Sequence, residues 1–300
     1  MHERGALSAI AVHGGCGNPV GGKVEHEADY HRGLEEAVLA ATAALTAGAG
    51  AVGAAQAAVA RLEDNPVFNA GRGSVLTAEA AVEMDAAVMC GRTGRAGAVA
   101  ALTTVRHPVA LARAVMESTG DVMVVGGGAE RLAAELELER MDPAWFVTER
   151  QLRRLRRAQE GVAHEDAGDT PIGTVGAVVL DDEGGLAAAT STGGRRGQRP
   201  GRVGDSPVIG AGTFADAHVA VSATGNGEAL IRRSAAHEIS ALVRHAGLPL
   251  AEACSRAIEG IEEVGLIALD TAGNLAMPFD TTLMHRGWKV GDGPVETRVF

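Results

Sequence analysis

The chain has 300 residues, 46% of them apolar and only 3% aromatic, with a formal net charge of −11. That length carries a sizeable core, and sparse aromatics mean it must pack through small aliphatic side chains. The acidic balance argues against general attraction to nucleic acid or an anionic membrane surface. Cys16, Cys90 and Cys254, odd in number and without a C-x-x-C pair, argue against a disulfide framework or thiolate metal site and fit a reducing cytoplasm.

Residues 6–12 (ALSAIAV) read as a buried strand, too brief for a signal segment, ended by a glycine turn H-G-G-C-G at 13–17. No stretch is apolar enough to span a bilayer. From Ala28 to Leu62 alanine, leucine, valine and charged residues recur at helical spacing, interrupted near Gly48-Ala49-Gly50, which predicts two packed helices. A dense loop follows at 62–76, then strands over 81–90 and 97–104, a helix over 108–119, a strand over 121–125, and a helix after Gly126-Gly127-Gly128. The basic run at 149–157 and the polar stretch behind it predict an exposed helix and a flexible linker, within 150–173. The second half predicts strands over 174–181, 185–191 and 219–223, helices from Glu228 to Ala246 and over 250–264, and closing strands over 266–270 and 274–277. No repeat of fixed period occurs, and residues 1–300 read as one domain.

Three threonines stand at predicted strand ends beside glycine: Thr174 in I-G-T-V-G, Thr192 in S-T-G-G and Thr224 in A-T-G-N-G. Singly, each satisfies β-propensity and nothing more. Between them lies G-R-V-G-D-S-P at 201–207, where Arg202 and Asp205 offer a guanidinium for a carboxylate and a carboxylate for an ammonium. Together they would read an α-amino acid head group; the plain alternative is a β-turn with Arg202 solvated.

With H-G-G at 13–15, N-P-V-F-N-A-G-R-G-S-V-L at 65–76 and E-M-D-A-A-V-M at 83–89, these segments resemble, in order and over nearly the whole chain, the threonine-dependent asparaginase and isoaspartyl peptidase family, relatives of glycosylasparaginase. The resemblance implies an N-terminal nucleophile fold, a four-layer αββα sandwich of α/β class. It implies self-cleavage between Gly173 and Thr174 into an α chain of 1–173 and a β chain of 174–300. Thr174 would be the nucleophile, Thr192 would orient it, and Thr224 with the Gly225 N–H would form the oxyanion hole. Arg202 would bind the substrate α-carboxylate, Asp205 its α-ammonium, with Gly227 in the pocket and Asn69 beside the nucleophile. Carbonyls of Leu62, Glu63, Phe68, Ala70 and Arg72 would hold a structural sodium ion, and no cofactor would take part in catalysis. The implied substrates are L-asparagine and β-aspartyl dipeptides, and the implied assembly is a cytoplasmic homodimer of α/β heterodimers.

The chemistry also follows from the residues. A threonine hydroxyl needs a base, and an N-terminal threonine carries one, since its α-amine has a pKa near ~7.7–8.0 and is partly neutral at physiological pH. Cleavage before Thr174 therefore creates the catalyst. The chain departs from many relatives in having Ile172 in place of histidine and Asp280 in place of asparagine, and Asn226 matches the glycosylasparaginase branch. Rival readings are a glycosylasparaginase-like enzyme, an inactive or self-cleaving-only homologue, a phosphate loop at 122–131 lacking the G-x-G-x-x-G spacing, and a His13–Cys16 thiol hydrolase. His164-Glu165-Asp166 lacks metal-ligand partners, and the arginines at 150–157 read as a solvated helix face before an anion site.

Overall fold

Small side chains let two sheets stack closely, each covered on its outer side by helices. In the computed structural model, residues 7–19, 24, 26–160 and 173–300 are described. The first half contributes β1 (Ala9–Gly17), α1 (Glu27–Thr46), α2 (Gly50–Asp64), β2 (Met84–Cys90), β3 (Ala96–Leu102), α3 (Pro108–Ser118), β4 (Met123–Val125), α4 (Gly126–Glu135), α5 (Pro143–Phe146) and α6 (Glu149–Gln159). The second contributes β5 (Val175–Leu180), β6 (Leu186–Thr192), β7 (Thr213–Ala215), β8 (Val219–Gly225), α7 (Gly227–Arg233), α8 (Ala235–Ala246), α9 (Leu250–Ala257), β9 (Val264–Asp270), β10 (Leu275–Ala276), β11 (Leu283–Val290) and β12 (Glu296–Arg298).

The larger sheet has the order β12-β11-β1-β5-β6-β2-β3-β4 and the smaller β10-β9-β8-β7. Helices α1–α4 lie against the larger sheet, α8 and α9 against the smaller, and β1, β5 and β6 face β8 and β9 or β7 across the middle. This is the expected four-layer αββα sandwich. Strand alternation decides which core each side chain enters: Val175, Ala177 and Val179 join the core under α1–α3, while Val178 and Leu180 join the one shared with the smaller sheet.

Several expectations need correction. H-G-G-C-G does not end β1; the strand runs through it, with an irregularity in its pairing to β11 between His13 and Cys16. The helix expected from Glu228 to Ala246 breaks at Ser234, whose φ of 52° divides α7 from α8. The helix expected to reach residue 264 stops at Ala257, and β9 begins at Val264. Three strands were unforeseen. β11 reads LMHRGWKV, whose polar letters hide a strand clamped between β1 and β12 with His285 fully buried. α6 exposes arginines but buries Gln151, Arg154 and Leu155, so only one face is solvated. Residues 161–172 of the expected linker, with His164, Glu165 and Asp166, lie outside the described residues. No helix among the described residues is long and apolar enough to cross a membrane.

Candidate active site

The register of β5 on β6 sets Val175 opposite Ser191, so Thr174, just before β5, and Thr192, the last residue of β6, come to the same end of the sheet. β1 borders β5 on its other side, with His13 opposite Gly176, and β8 of the smaller sheet ends at Gly225. Strand ends from both sheets thus meet the loop at 201–212. There a cavity of about 390 Å³ is lined by Gly173, Thr174, Thr192, Arg202, Asp205, Gly225 and Gly227, among others.

Thr174 is 6% exposed, and its Oγ1 lies 3.2 Å from Ser206 Oγ. Gly173 is wedged between β1 and β8. A β-carbon on Gly173 would meet Thr224 Oγ1 at 2.2 Å, and one on Gly15, whose φ is +102°, would meet Gly173 N at 2.7 Å. Gly15 of H-G-G is therefore required by the close approach of β1 to Gly173 and by its backbone angle. Thr224 Oγ1 is fully buried and has no hydrogen-bond partner among the described residues. A buried hydroxyl left unpaired costs roughly 1–3 kcal/mol, a cost that a ligand or transition state hydrogen-bonding to it would relieve. Thr192 is buried too, its Oγ1 accepting the Gly194 N–H at 3.0 Å.

Arg202 and Asp205 stand together as expected. Arg202 donates to both oxygens of Glu228, from Nε at 3.2 Å and Nη2 at 3.0 Å, and from Nη1 to Gln198 Oε1 at 3.3 Å. This holds the Glu228 carboxyl below its usual range. Asp205 is 4% exposed, its Oδ2 has no partner among the described residues, and burial pushes its pKa up to about 7. A carboxylate desolvated without a partner is a receptor for a cation. Gly227 lies between the two: a β-carbon there would stand 2.7 Å from Asp205 Oδ1 and 3.1 Å from Arg202 Nη2.

With this geometry, comparison with known proteins is decisive. The family model described as Asparaginase matches residues 6–299. The chain belongs to the asparaginase family. It is 45% identical to an isoaspartyl peptidase of Escherichia coli (96% of this chain, 94% of that one) and 42% to a plant-type L-asparaginase of Pyrobaculum calidifontis (94% and 97%). It is also 37% identical to a probable isoaspartyl peptidase/L-asparaginase of Arabidopsis thaliana, covering 97% and 98%.

For a member of this family the remaining expected residues are informative. Asn69 is buried and is not part of the cavity wall. Its Oδ1 accepts the Val75 N–H and its Nδ2 donates to Gly194 O, both at 2.8 Å, so it braces the loop after Thr192. Leu62 and Glu63 lie in the last turn of α2, where carbonyls carry partial negative charge. Leu62 O and Ala70 O each accept one backbone N–H, from Asn65 and Gly73. Glu63 O and Phe68 O press on the 3-10 turn at Gly71–Gly73, where β-carbons would approach them to 2.3 and 1.9 Å. Backbone carbonyls are neutral oxygen donors of the kind a hard monovalent cation such as sodium would take. The Arg72 side chain points elsewhere, its guanidinium 5.1 Å from the Trp145 ring.

Three residues gain roles the sequence did not suggest. Ser206 touches Thr174, and Glu228 neutralises Arg202. Asp280 accepts the N–H groups of Glu263 and Val264 with one oxygen each, at 3.1 and 2.7 Å. The Glu263 carbonyl in turn accepts the Asn226 N–H at 2.9 Å and packs against Gly225, so Asp280 orders the turn behind the expected oxyanion hole. The thiol reading fails: burial pushes Cys16 up to about 12, and His13 Nε2 pairs with Ser222 Oγ at 2.8 Å. The glycines at 126–128 are the first turn of α4.

Proposed function

We propose that the protein hydrolyses β-aspartyl amide bonds, of isoaspartyl dipeptides and L-asparagine, through Thr174 after it has cut its own Gly173–Thr174 bond. The observation that carries this reading is Asp205 and Arg202 lining one cavity with Thr174. A clamp on both α-groups leaves the β-carbonyl for the nucleophile. An α-aspartyl bond lacks the free α-carboxylate and forfeits Arg202.

In self-cleavage, Thr174 Oγ1 attacks the Gly173 carbonyl carbon, the C–N bond breaks, and the departing nitrogen takes the hydroxyl proton. Water then hydrolyses the ester, releasing the Gly173 carboxylate and restoring the Thr174 hydroxyl beside the α-amine already freed. In turnover that amine accepts the hydroxyl proton while Oγ1 bonds to the β-carbonyl carbon. Thr224, whose hydroxyl lacks a partner, and the Gly225 N–H would stabilise the oxyanion, a contribution of roughly 10²–10³ in rate per donor. The proton passes to the leaving amine, and water releases aspartate from the ester. No step uses a cofactor. A sodium ion held by carbonyls of Leu62, Glu63, Phe68, Ala70 and Arg72 would order the loop that carries Asn69.

A glycosylasparaginase-like activity has less support, because Asn226 uses its Oδ1 to cap α7 at the Ala229 N–H. A homodimer of α/β heterodimers is supported by the exposed apolar side chains of Val122, just before edge strand β4, and of Met123 and Val125 within it; light scattering on the cut protein measures it. The deciding assay sets β-Asp-Leu, L-asparagine, α-Asp-Leu and N-glycosylated asparagine side by side. Cleavage of the first two and sparing of α-Asp-Leu is expected, and comparable turnover of α-Asp-Leu would refute the clamp.

A further inference from the structure

We propose that Ser206 is a catalytic residue, whose hydroxyl donates a hydrogen bond to the Thr174 nucleophile and is positioned by a frame of buried hydroxyls reaching back to His13. This rests on the reading of Thr174 as nucleophile. Ser206 is fully buried, and the one hydrogen bond of its hydroxyl among the described residues is to Thr174 Oγ1, at 3.2 Å. A buried O–H with a single partner donates to that partner or wastes its proton. Thr174 faces the cavity and can turn its own proton toward the new α-amine. A donor aimed at Oγ1 fixes the rotamer of the nucleophile and stabilises the negative charge that gathers there as the proton leaves. Thr192, expected in that role, has its Oγ1 accepting the Gly194 N–H and no hydrogen bond to Thr174 among the described residues.

The placement of Ser206 is secured from behind. Thr213 Oγ1 donates to the Ser206 carbonyl at 2.8 Å and lies 2.6 Å from Thr190 Oγ1. Thr190 lies 2.8 Å from Ser222 Oγ, which lies 2.8 Å from His13 Nε2. All are fully buried, and they come from β7, β6, β8 and β1, so the frame joins the two sheets. Gly176 leaves room for it: a β-carbon there would meet Ser222 Oγ at 1.9 Å. Burial lowers the His13 pKa to about 3, so the frame carries no charge at working pH. Because Oγ1 attacks in both reactions, loss of the Ser206 donor slows both.

The test follows Ser206→Ala in the full chain, reading the rate at which the fragment beginning at Thr174 appears, then kcat and KM for β-Asp-Leu in fully cut protein. Hydrogen bonds to charged groups set the scale, so roughly 10- to 100-fold losses in cleavage rate and kcat are expected, with KM within about twofold. Ser206→Thr, which keeps the hydroxyl, should recover most of kcat. Thr213→Val, which removes the donor to the Ser206 carbonyl and the hydroxyl beside Thr190 but leaves the Ser206 hydroxyl in place, should lower kcat by a smaller factor and serves if Ser206→Ala does not fold. Wild-type cleavage and kcat in Ser206→Ala, or an effect confined to KM, overturns the proposal; where Ser206→Ala does not fold, wild-type kcat in Thr213→Val does. An active Thr174→Ala would instead overturn the nucleophile itself.

Discussion

Two groups of buried polar atoms differ in how they are satisfied. Between the sheets, His13 Nε2, Ser222, Thr190 and Thr213 hydrogen-bond in succession at 2.6–2.8 Å. At the cavity, Thr224 Oγ1 and Asp205 Oδ2 are as deeply buried and have no partner among the described residues. Paired hydroxyls stabilise and orient; unpaired ones cost free energy that the fold tolerates where something else is to be bound. The difference in pairing at these atoms forecasts opposite responses to substitution.

The largest effect is expected at the nucleophile. Thr174→Ala should leave an uncut chain and lower turnover on the order of 10⁴-fold or more, read by intact-mass measurement and by the β-Asp-Leu assay. Next, Asp205→Asn removes a buried carboxylate that should bind the substrate ammonium. Loss of one member of such a pair costs about 3–5 kcal/mol, or roughly 10²–10⁴ in kcat/KM, while the ligand-free protein should become more stable. A variant that lost stability along with activity would put Asp205 in the frame.

The same group sets a pH dependence. The folded-state pKa of Asp205 is raised from an ordinary 3.8 to about 7, so the resting protein is stabilised by its protonated form below pH 3.8 and loses that contribution as pH rises toward 7. Substrate binding runs the other way, since only the ionised form attracts an ammonium. KM should therefore rise as pH falls below about 7, and Asp205→Asn should flatten both trends, measured by melting curves and steady-state kinetics across pH 4–8.

Thr224→Val should lower kcat by roughly 10²–10³ with little loss of stability, because its hydroxyl is unpaired in the resting protein. The smallest effect on turnover should come from the frame. Ser222→Ala deprives both His13 and Thr190 of a partner and should cost about 1–3 kcal/mol in unfolding free energy, read by denaturant titration, with KM unchanged. A large kcat loss without destabilisation would erase the distinction between the two regions.

Much of the site was legible in the chain because its residues sit in glycine-flanked motifs at strand ends. Thr174, Thr192, Arg202, Asp205 and Gly225 do line one cavity, and Thr224 adjoins it through Gly173. Ser206 and Glu228 lay inside the same motifs but showed no sign of their roles, since each is defined by its partner, 32 residues away for Ser206 and 26 for Glu228. Asp280 was visible as a departure from relatives, and its contact to the turn behind Gly225 was not. Among the elements, β11 was missed because its polar His285 and Arg286 are buried, His285 under the Tyr30 ring of α1, so its pattern resembles a loop.

By itself the sequence determined what depends on neighbours along the chain. Periodicity separates helix from strand, Gly48-Ala49-Gly50 breaks α1 from α2, and the ordered motifs identify the family. Only the tertiary structure decided that β1 runs on through H-G-G-C-G, that His13 meets Ser222 across 209 residues, and that Asp205 and Thr224 are buried without partners. The reason is physical. Burial and pairing are set by how two sheets stack, a sum over contacts from distant segments, and desolvation has no local pattern from which it can be read.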